Sequence, residues 1–206
     1  MAEAATSRKR EQSELSRERL IEAATRLFAE RGYRDASVQA IGEAAGISRG
    51  SIFWHFGSKE GLLWAVVQRA FTRWEAETLV PEVGDARGED AIGRALRAHR
   101  RFLGDEGGTL RLLFVLMFEA LGPRPELAAE FARLHRDLRE LATPWLEEAV
   151  ADGDFRSDVD PETIVTLIIA TLGGIVYQYL LDAEGVDLDR CYADLERVLE
   201  RGLAVA

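Results

Sequence analysis

The sequence predicts an all-α protein of about nine helices, and three observations carry that prediction. Apolar residues recur at helical spacing along most of its 206 residues. Serines, acids and glycines stand where helix caps and stops belong, as at Ser37, Gly46, Ser48, Ser58 and Asp160. Five prolines, an apolar fraction of 47% and the absence of any low-complexity tract supply a packed core and argue against disorder. The length allows one compact domain or two small ones.

The first helix is read over 15–31, with Leu20, Ala24, Leu27 and Phe28 at helical spacing and Gly32 as its stop. Ahead of it, 1–14 reads as a flexible basic arm. Its Arg8, Lys9 and Arg10 either touch DNA or form a solvated tail. Ser37 caps a second helix whose inner face is Val38, Ile41, Ala44 and Ala45, and Gly46 stops it. Ile47 packs under the turn. Ser48 caps the third helix, in which Ile52 and Phe56 point inward at i, i+4. Ser58 caps the fourth, over 59–79, with Leu63, Val66, Val67, Ala70 and Trp74 linking head to body. A loop over 81–88 precedes a helix over 89–103. Gly104 to Gly108 is expected to break the chain before a helix over 109–121, which Gly122 and Pro123 end. Pro144 falls inside the helix of 126–151, where its missing donor and its ring predict a kink or break. Asp160-Pro161-Glu162 is a strong helix start, and the last helix covers 188–203.

The two short helices across 37–56 have the shape of a helix-turn-helix, which lays its second helix in a DNA major groove. Arg49, Gly50 and Ser51 fall on the first turn of that helix, where small and polar residues let the backbone approach bases. Arg49 suits guanine and Gln39 suits adenine, each by a bidentate pair. Ser48, Phe53, Trp54 and His55 complete the expected DNA surface. Lys59 opens the next helix, against the preference for acids at a helix N-terminus, and a phosphate in front of it is the expected reason.

The run from Arg19 to Leu63 resembles the TetR family of bacterial transcription regulators. The resemblance rests on Ile21, Ala23, Ala24, Leu27-Phe28, Gly32-Tyr33, Ser37-Val38, Ile41, Ala44 and Gly46-Ile47-Ser48. It continues through Ser51-Ile52-Phe53-Trp54-His55-Phe56, Ser58-Lys59-Glu60 and Leu62-Leu63. Beyond these residues the likeness is one of length and helical pattern. The family usually has a tyrosine at Phe53 whose hydroxyl contacts phosphate, a bond that phenylalanine lacks. The resemblance implies a head at 15–64, a ligand-binding and dimerisation body at 65–206, double-stranded operator DNA as partner, and repression as the usual mode.

It also implies a homodimer built from the last two long helices. From Ile164 to Leu181 the chain runs 18 residues without a charge. A membrane span is weighed and set aside, because Thr166, Thr171, Gln178 and Gly173-Gly174 interrupt the run and no basic cluster flanks it. A helix apolar nearly all round is buried on several faces. The expected interface is Ile164, Ile168, Leu172, Ile175, Tyr179, Tyr192, Leu195 and Leu199. The implied effector cavity takes Phe102, Phe114, Met117, Phe118, Phe131, Trp145 and Tyr177 as candidate lining, with His99 and Glu119 as polar groups. Such a lining suits an apolar or aromatic small molecule.

Net charge is −10, which looks wrong for a DNA binder until it is divided. Residues 1–60 hold 10 Lys+Arg against 9 Asp+Glu, and 61–206 hold 16 against 27. The acidity therefore lies away from the expected DNA surface. Three histidines, with no paired Glu-x-x-His segments, phosphate-binding glycine loop or nucleophile elbow, speak against an enzyme, a metal or a cofactor. The single Cys191 excludes an internal disulfide, and the N-terminus has no apolar stretch of signal-peptide type; both suit the cytoplasm. The competing reading is a helical adaptor whose head binds protein, which predicts no salt-dependent DNA binding.

Overall fold

The computed structural model describes residues 2–123 and 125–205, with the side chains of 2–6, 8, 9 and 105–107 left out of the description. Among the described residues there are nine α helices and no strand, with one isolated bridge between Phe155 and Ala204. In chain order they are α1 (Ala2–Asp35), α2 (Val38–Ala45), α3 (Arg49–Phe56), α4 (Lys59–Trp74), α5 (Val80–Val83), α6 (Gly88–Ala120), α7 (Pro125–Ala151), α8 (Pro161–Leu181) and α9 (Leu188–Leu203). A π turn, Glu75–Leu79, joins α4 to α5.

The chain forms two compact units. One comprises Met1–Thr72 and Gly108–Leu116, the other Arg73–Gly107 and Met117–Ala206. In the first, Leu20, Ile21, Phe28, Ile41, Ile52, Leu62, Leu63 and Val67 are sealed from solvent. Each such side chain contributes about 1.5–3 kcal/mol through burial. In the second, α7 and α9 both pack on α8. Its buried residues include Trp74, Leu96, Phe131, Leu146 and Val176.

The caps sit where the sequence puts them. Ser37 accepts from Ala40 N at 3.0 Å, Ser58 from Gly61 N at 3.0 Å, and Asp160 from Thr163 N at 2.9 Å. Gly46 takes the left-handed conformation (φ 64°) that ends α2.

Three expectations need correction. The arm expected at 1–14 is helical from Ala2 on and continuous with α1, because alanines and long charged residues favour helix and no glycine or proline intervenes before Gly32. The side chains of Arg8 and Lys9 lie outside the described residues. The break expected at Gly104 to Gly108 is absent, and α6 runs through it. Glycine costs about 1 kcal/mol per helical position, which the burial of Phe102 and Leu103 before it and Leu110 and Leu112 after it offsets. Pro144 does not break α7. The residue whose carbonyl it leaves unbonded, Glu140, is exposed, so solvent can satisfy the lost bond.

Candidate nucleic-acid interface

The turn between α2 and α3 is set by backbone contact. Ile47 N donates to Gly42 O at 2.9 Å, and a Cβ on Gly42 would stand 2.8 Å from Ile47 O. No residue but glycine fits there. Arg19 Nη2 donates to Ala45 O at 2.6 Å, tying α1 to the C-terminal end of α2. Ile52, fully buried, then fixes the rotation of α3 about its axis.

That rotation decides which residues of α3 face outward. Ser48, Arg49 and Gly50 are exposed, as are Phe53 and Trp54, the last at 74%. Ser48 Oγ accepts from Ser51 N at 3.3 Å and lies 3.0 Å from Ser51 Oγ, so both hydroxyls serve the cap. The Arg49 guanidinium lies over the Phe53 ring, 5.5 Å from its centroid. Gly50 differs from Gly42, because a Cβ there would meet only Ser48 Oγ at 3.8 Å, an ordinary contact. Gly50 has no positive φ and lies within α3, where alanine would be better by about 0.5–1 kcal/mol. Nothing inside the chain calls for this glycine.

On α2, Gln39 Nε2 donates to Glu43 Oε1 at 3.0 Å, and both residues are exposed. His55 is half-buried with its ring 4.5 Å from that of Trp54, edge to face. Burial, then the charge of Arg17, pushes its imidazole below the ordinary histidine value, so it is neutral at pH 7. Arg17 lies over the Phe56 ring, 5.6 Å from the centroid.

Lys59, expected to hold a phosphate, has partners within its own chain. Its ammonium donates to Tyr33 O at 2.5 Å and to Arg34 O at 3.3 Å, and lies 4.4 Å from the Tyr33 ring centroid. In sequence it opens α4; in space it reaches the carbonyls just after Gly32, whose φ of 77° and ψ of 164° interrupt α1. These contacts give the lysine a second role to set against phosphate binding. Burial lowers its pKa against the pull of Glu60 and Asp35. Sequence reading missed this brace, along with Arg19, Arg17 and Glu43. The spacing of about one turn between Gln39 and Glu43 was the one visible signal among them.

The candidate effector lining is divided between the two units. Phe114 belongs to the first unit, and the other eight residues to the second. Phe102 and Phe131 are buried, Met117 and Trp145 half-buried, and Phe118 and Glu119 exposed. Phe118 and Tyr177 meet edge to face at 6.0 Å, on α6 and α8. His99 shares a 2.6 Å hydrogen bond between Nδ1 and the Tyr192 hydroxyl, and Trp74 packs edge-on at 6.1 Å. Burial pushes the His99 imidazole down to about 4 and the Tyr192 phenol up, so both are neutral at pH 7.

Tyr192 was grouped with the dimer interface by its place in the α9 stripe. It is instead 6% exposed and turned onto its own chain's His99, because that hydrogen bond satisfies a buried hydroxyl. Ile164, Ile168, Leu172, Ile175, Tyr179, Leu195 and Leu199 are half-buried. The most open line on α8 is offset from them and runs through Leu167, Ala170, Thr171, Gln178 and Leu181. By length and composition α8 could cross a membrane.

Two family models match the chain. One, described as bacterial regulatory proteins of the tetR family, covers residues 20–66; the other, described as the C-terminal part of BetI-type transcriptional repressors, covers 105–204. The transcriptional repressor KstR2 of Rhodococcus jostii is 31% identical over 162 residues, 71% of either chain. The transcriptional regulator TtgR of Pseudomonas putida is 26% identical across 95% of this chain and 93% of its own. A crystal structure of a TetR regulator from Chloroflexus aurantiacus superposes with a TM-score of 0.75 at 24% identity, covering 95% of this chain and all of that one.

Proposed function

This chain belongs to the TetR family of DNA-binding transcription regulators, which are not enzymes, and from that premise we propose a cytoplasmic repressor that binds a palindromic operator as a homodimer and is released by a small molecule. The observation that carries the DNA side is Gly50. Its chain has no use for a glycine there, and helix stability is sacrificed at the one surface that must come closest to a nucleic acid. Arg49 reads a guanine, Gln39 addresses the adjacent bases within reach of Glu43, and Trp54 and His55 flank the sugar-phosphate backbone. Lys59 supports this surface indirectly, by bracing α1 against α4.

Two such heads related by a two-fold axis read half-sites about 34–36 Å apart. The proposed dimer uses the open line of α8 together with α9. In the proposed division, 15–64 is the head and 65–206 the body. An apolar or aromatic effector bound in the body favours a conformation whose heads no longer match the half-sites.

The test is fluorescence anisotropy of the full chain on duplex DNA from upstream of its own gene, across a salt series. Binding that saturates at two or four chains per duplex and weakens steeply with salt is expected. Binding no tighter than to random DNA, after refolding and with genomic fragments in its place, would leave the protein-binding adaptor.

A further inference from the structure

We propose that Phe53 is a positioning residue for Arg49, and that its ring sets base specificity by holding the guanidinium ready for one guanine. The proposal rests on the DNA-binding reading above and adds to it a reason for phenylalanine at this position.

Arg49 stands on the first turn of α3 and Phe53 one turn on, both on the exposed side that buried Ile52 determines. The guanidinium lies over the ring, 5.5 Å from its centroid. A cation within about 6 Å of an aromatic centroid is attracted by the ring's negative face. No other contact competes: among the described residues, the Arg49 side chain makes no ion pair or hydrogen bond. A free arginine samples many rotamers and loses that freedom on binding a base edge. The attraction to Phe53 removes part of the freedom beforehand, and because an aromatic face is no hydrogen-bond acceptor of base-edge strength it leaves the guanidinium N–H groups available to donate. Those donors are what a guanine O6 and N7 pair accepts.

Gly50 makes the arrangement useful. With no Cβ beside Arg49, the first turn of α3 can approach the base pairs closely enough for a stacked, shortened reach to suffice. Tyrosine would serve the same stack and add a phosphate contact. Phenylalanine keeps the stack alone, so its contribution is to specificity and not to general affinity.

The experiment selects duplexes from a random-core pool with the full-length protein. It then measures anisotropy on the best duplex and on each of its single-base-pair variants. The wild type is expected to discriminate at one G·C pair per half-site, and Arg49→Ala to erase that preference. Phe53→Ala and Phe53→Leu should each reduce discrimination at that pair about five- to tenfold, with other positions and the salt slope unchanged. Leucine keeps the apolar bulk without the π face, so loss in both variants identifies the ring. Phe53→Tyr should retain the preference and tighten all duplexes alike. Uniform weakening by Phe53→Ala or Phe53→Leu with the guanine preference intact would overturn the proposal, as would an Arg49→Ala variant that still prefers guanine. If the wild type enriches no duplex at all, the DNA-binding reading itself fails and the proposal goes with it. Melting curves should be unaltered in all variants, because Phe53 is already 42% exposed.

Discussion

Helices α3 and α8 both carry apolar surface that their own chain leaves open, and they do so in opposite chemical settings. On α3, Phe53 and Trp54 stand beside Arg49 on a short helix with serine caps. On α8, Leu167 and Leu181 are 56% and 69% exposed within a run that has no charge at all. Both helices also hold glycines without an internal cause. A Cβ on Gly173 or Gly174 would meet nothing within 4 Å, and one on Gly50 only a serine hydroxyl. Gly42 and Gly61, by contrast, are forced by backbone oxygens at 2.8 and 2.0 Å. Gly104, Gly108 and Gly202 are equally unforced, so it is the exposed apolar side chains beside the glycines of α3 and α8 that single out these two surfaces. The charge beside them says what kind: an arginine-bearing surface suits a polyanion, an uncharged one a second copy of the same helix.

The proposed dimer is the part of this contrast most easily broken. Leu167→Glu with Thr171→Glu puts two carboxylates on the open line of α8. Buried unpaired charges cost about 3–5 kcal/mol, so the dimer should become monomeric at micromolar concentration, with at least a 100-fold loss of operator affinity. Sedimentation equilibrium reads the first effect and anisotropy the second. A double variant that stays dimeric would move the interface off this face. The same two charges on α3 would reduce DNA binding and leave the mass unchanged.

An interior site gives the complementary case, a polar pair that the chain satisfies entirely by itself. His99 and Tyr192 bond each other across α6 and α9. The folded-state imidazole titrates near 4 and the unfolded one at 6.5, so the unfolded chain binds the extra proton first as pH falls. Stability from this group is therefore complete above pH 6.5 and is lost on acidification down to pH 4. The shift corresponds to about 3 kcal/mol at most. In urea denaturation, His99→Gln should flatten that part of the pH profile by comparison with wild type. His135, also lowered by burial and by Arg139, contributes with the same sign and remains in both proteins. An unchanged profile would mean that water reaches His99.

What could be read from the sequence divides along the same line. Caps and stops are local, so Ser37, Gly46, Ser48, Ser58 and Asp160 were legible from their neighbours alone. The apolar stripes were legible too, but a stripe does not say which covering it receives. Tyr192 lies on the α9 stripe and is covered by its own chain, whereas Leu167 is not. The brace made by Lys59 was not legible for the related reason that its partner carbonyls, at Tyr33 and Arg34, are 26 and 25 residues away. The run of α6 through the three glycines of 104–108 was hidden because the burial that sustains it comes from both flanks.

Gly50→Ala sharpens the comparison on the α3 side, because its two effects carry opposite signs. The free protein should gain about 0.5–1 kcal/mol, since alanine loses less backbone entropy in a helix and finds no clash. Operator affinity should fall by about tenfold or more if the added methyl group holds α3 away from the bases. A structural glycine would lose stability instead. Thermal melting and anisotropy on one preparation separate the two.

Lys59 yields the smallest expected effect and tests whether the DNA surface is held in shape from behind. Removing its ammonium leaves the Tyr33 and Arg34 carbonyls without that donor, but at a partly exposed site where water can replace it. Lys59→Met, which keeps much of the side chain's length and removes the ammonium from the Tyr33 ring and carbonyls, should cost about 1 kcal/mol of stability. Because the ammonium faces α1, the slope of log affinity against log salt should be unchanged. A lysine that neutralised a phosphate would instead lower that slope by about one when removed, with little change in melting. Melting and slope therefore move in mutually exclusive ways under the two roles, and one variant decides whether α4 begins with a phosphate ligand or with the brace that fixes α1 to it.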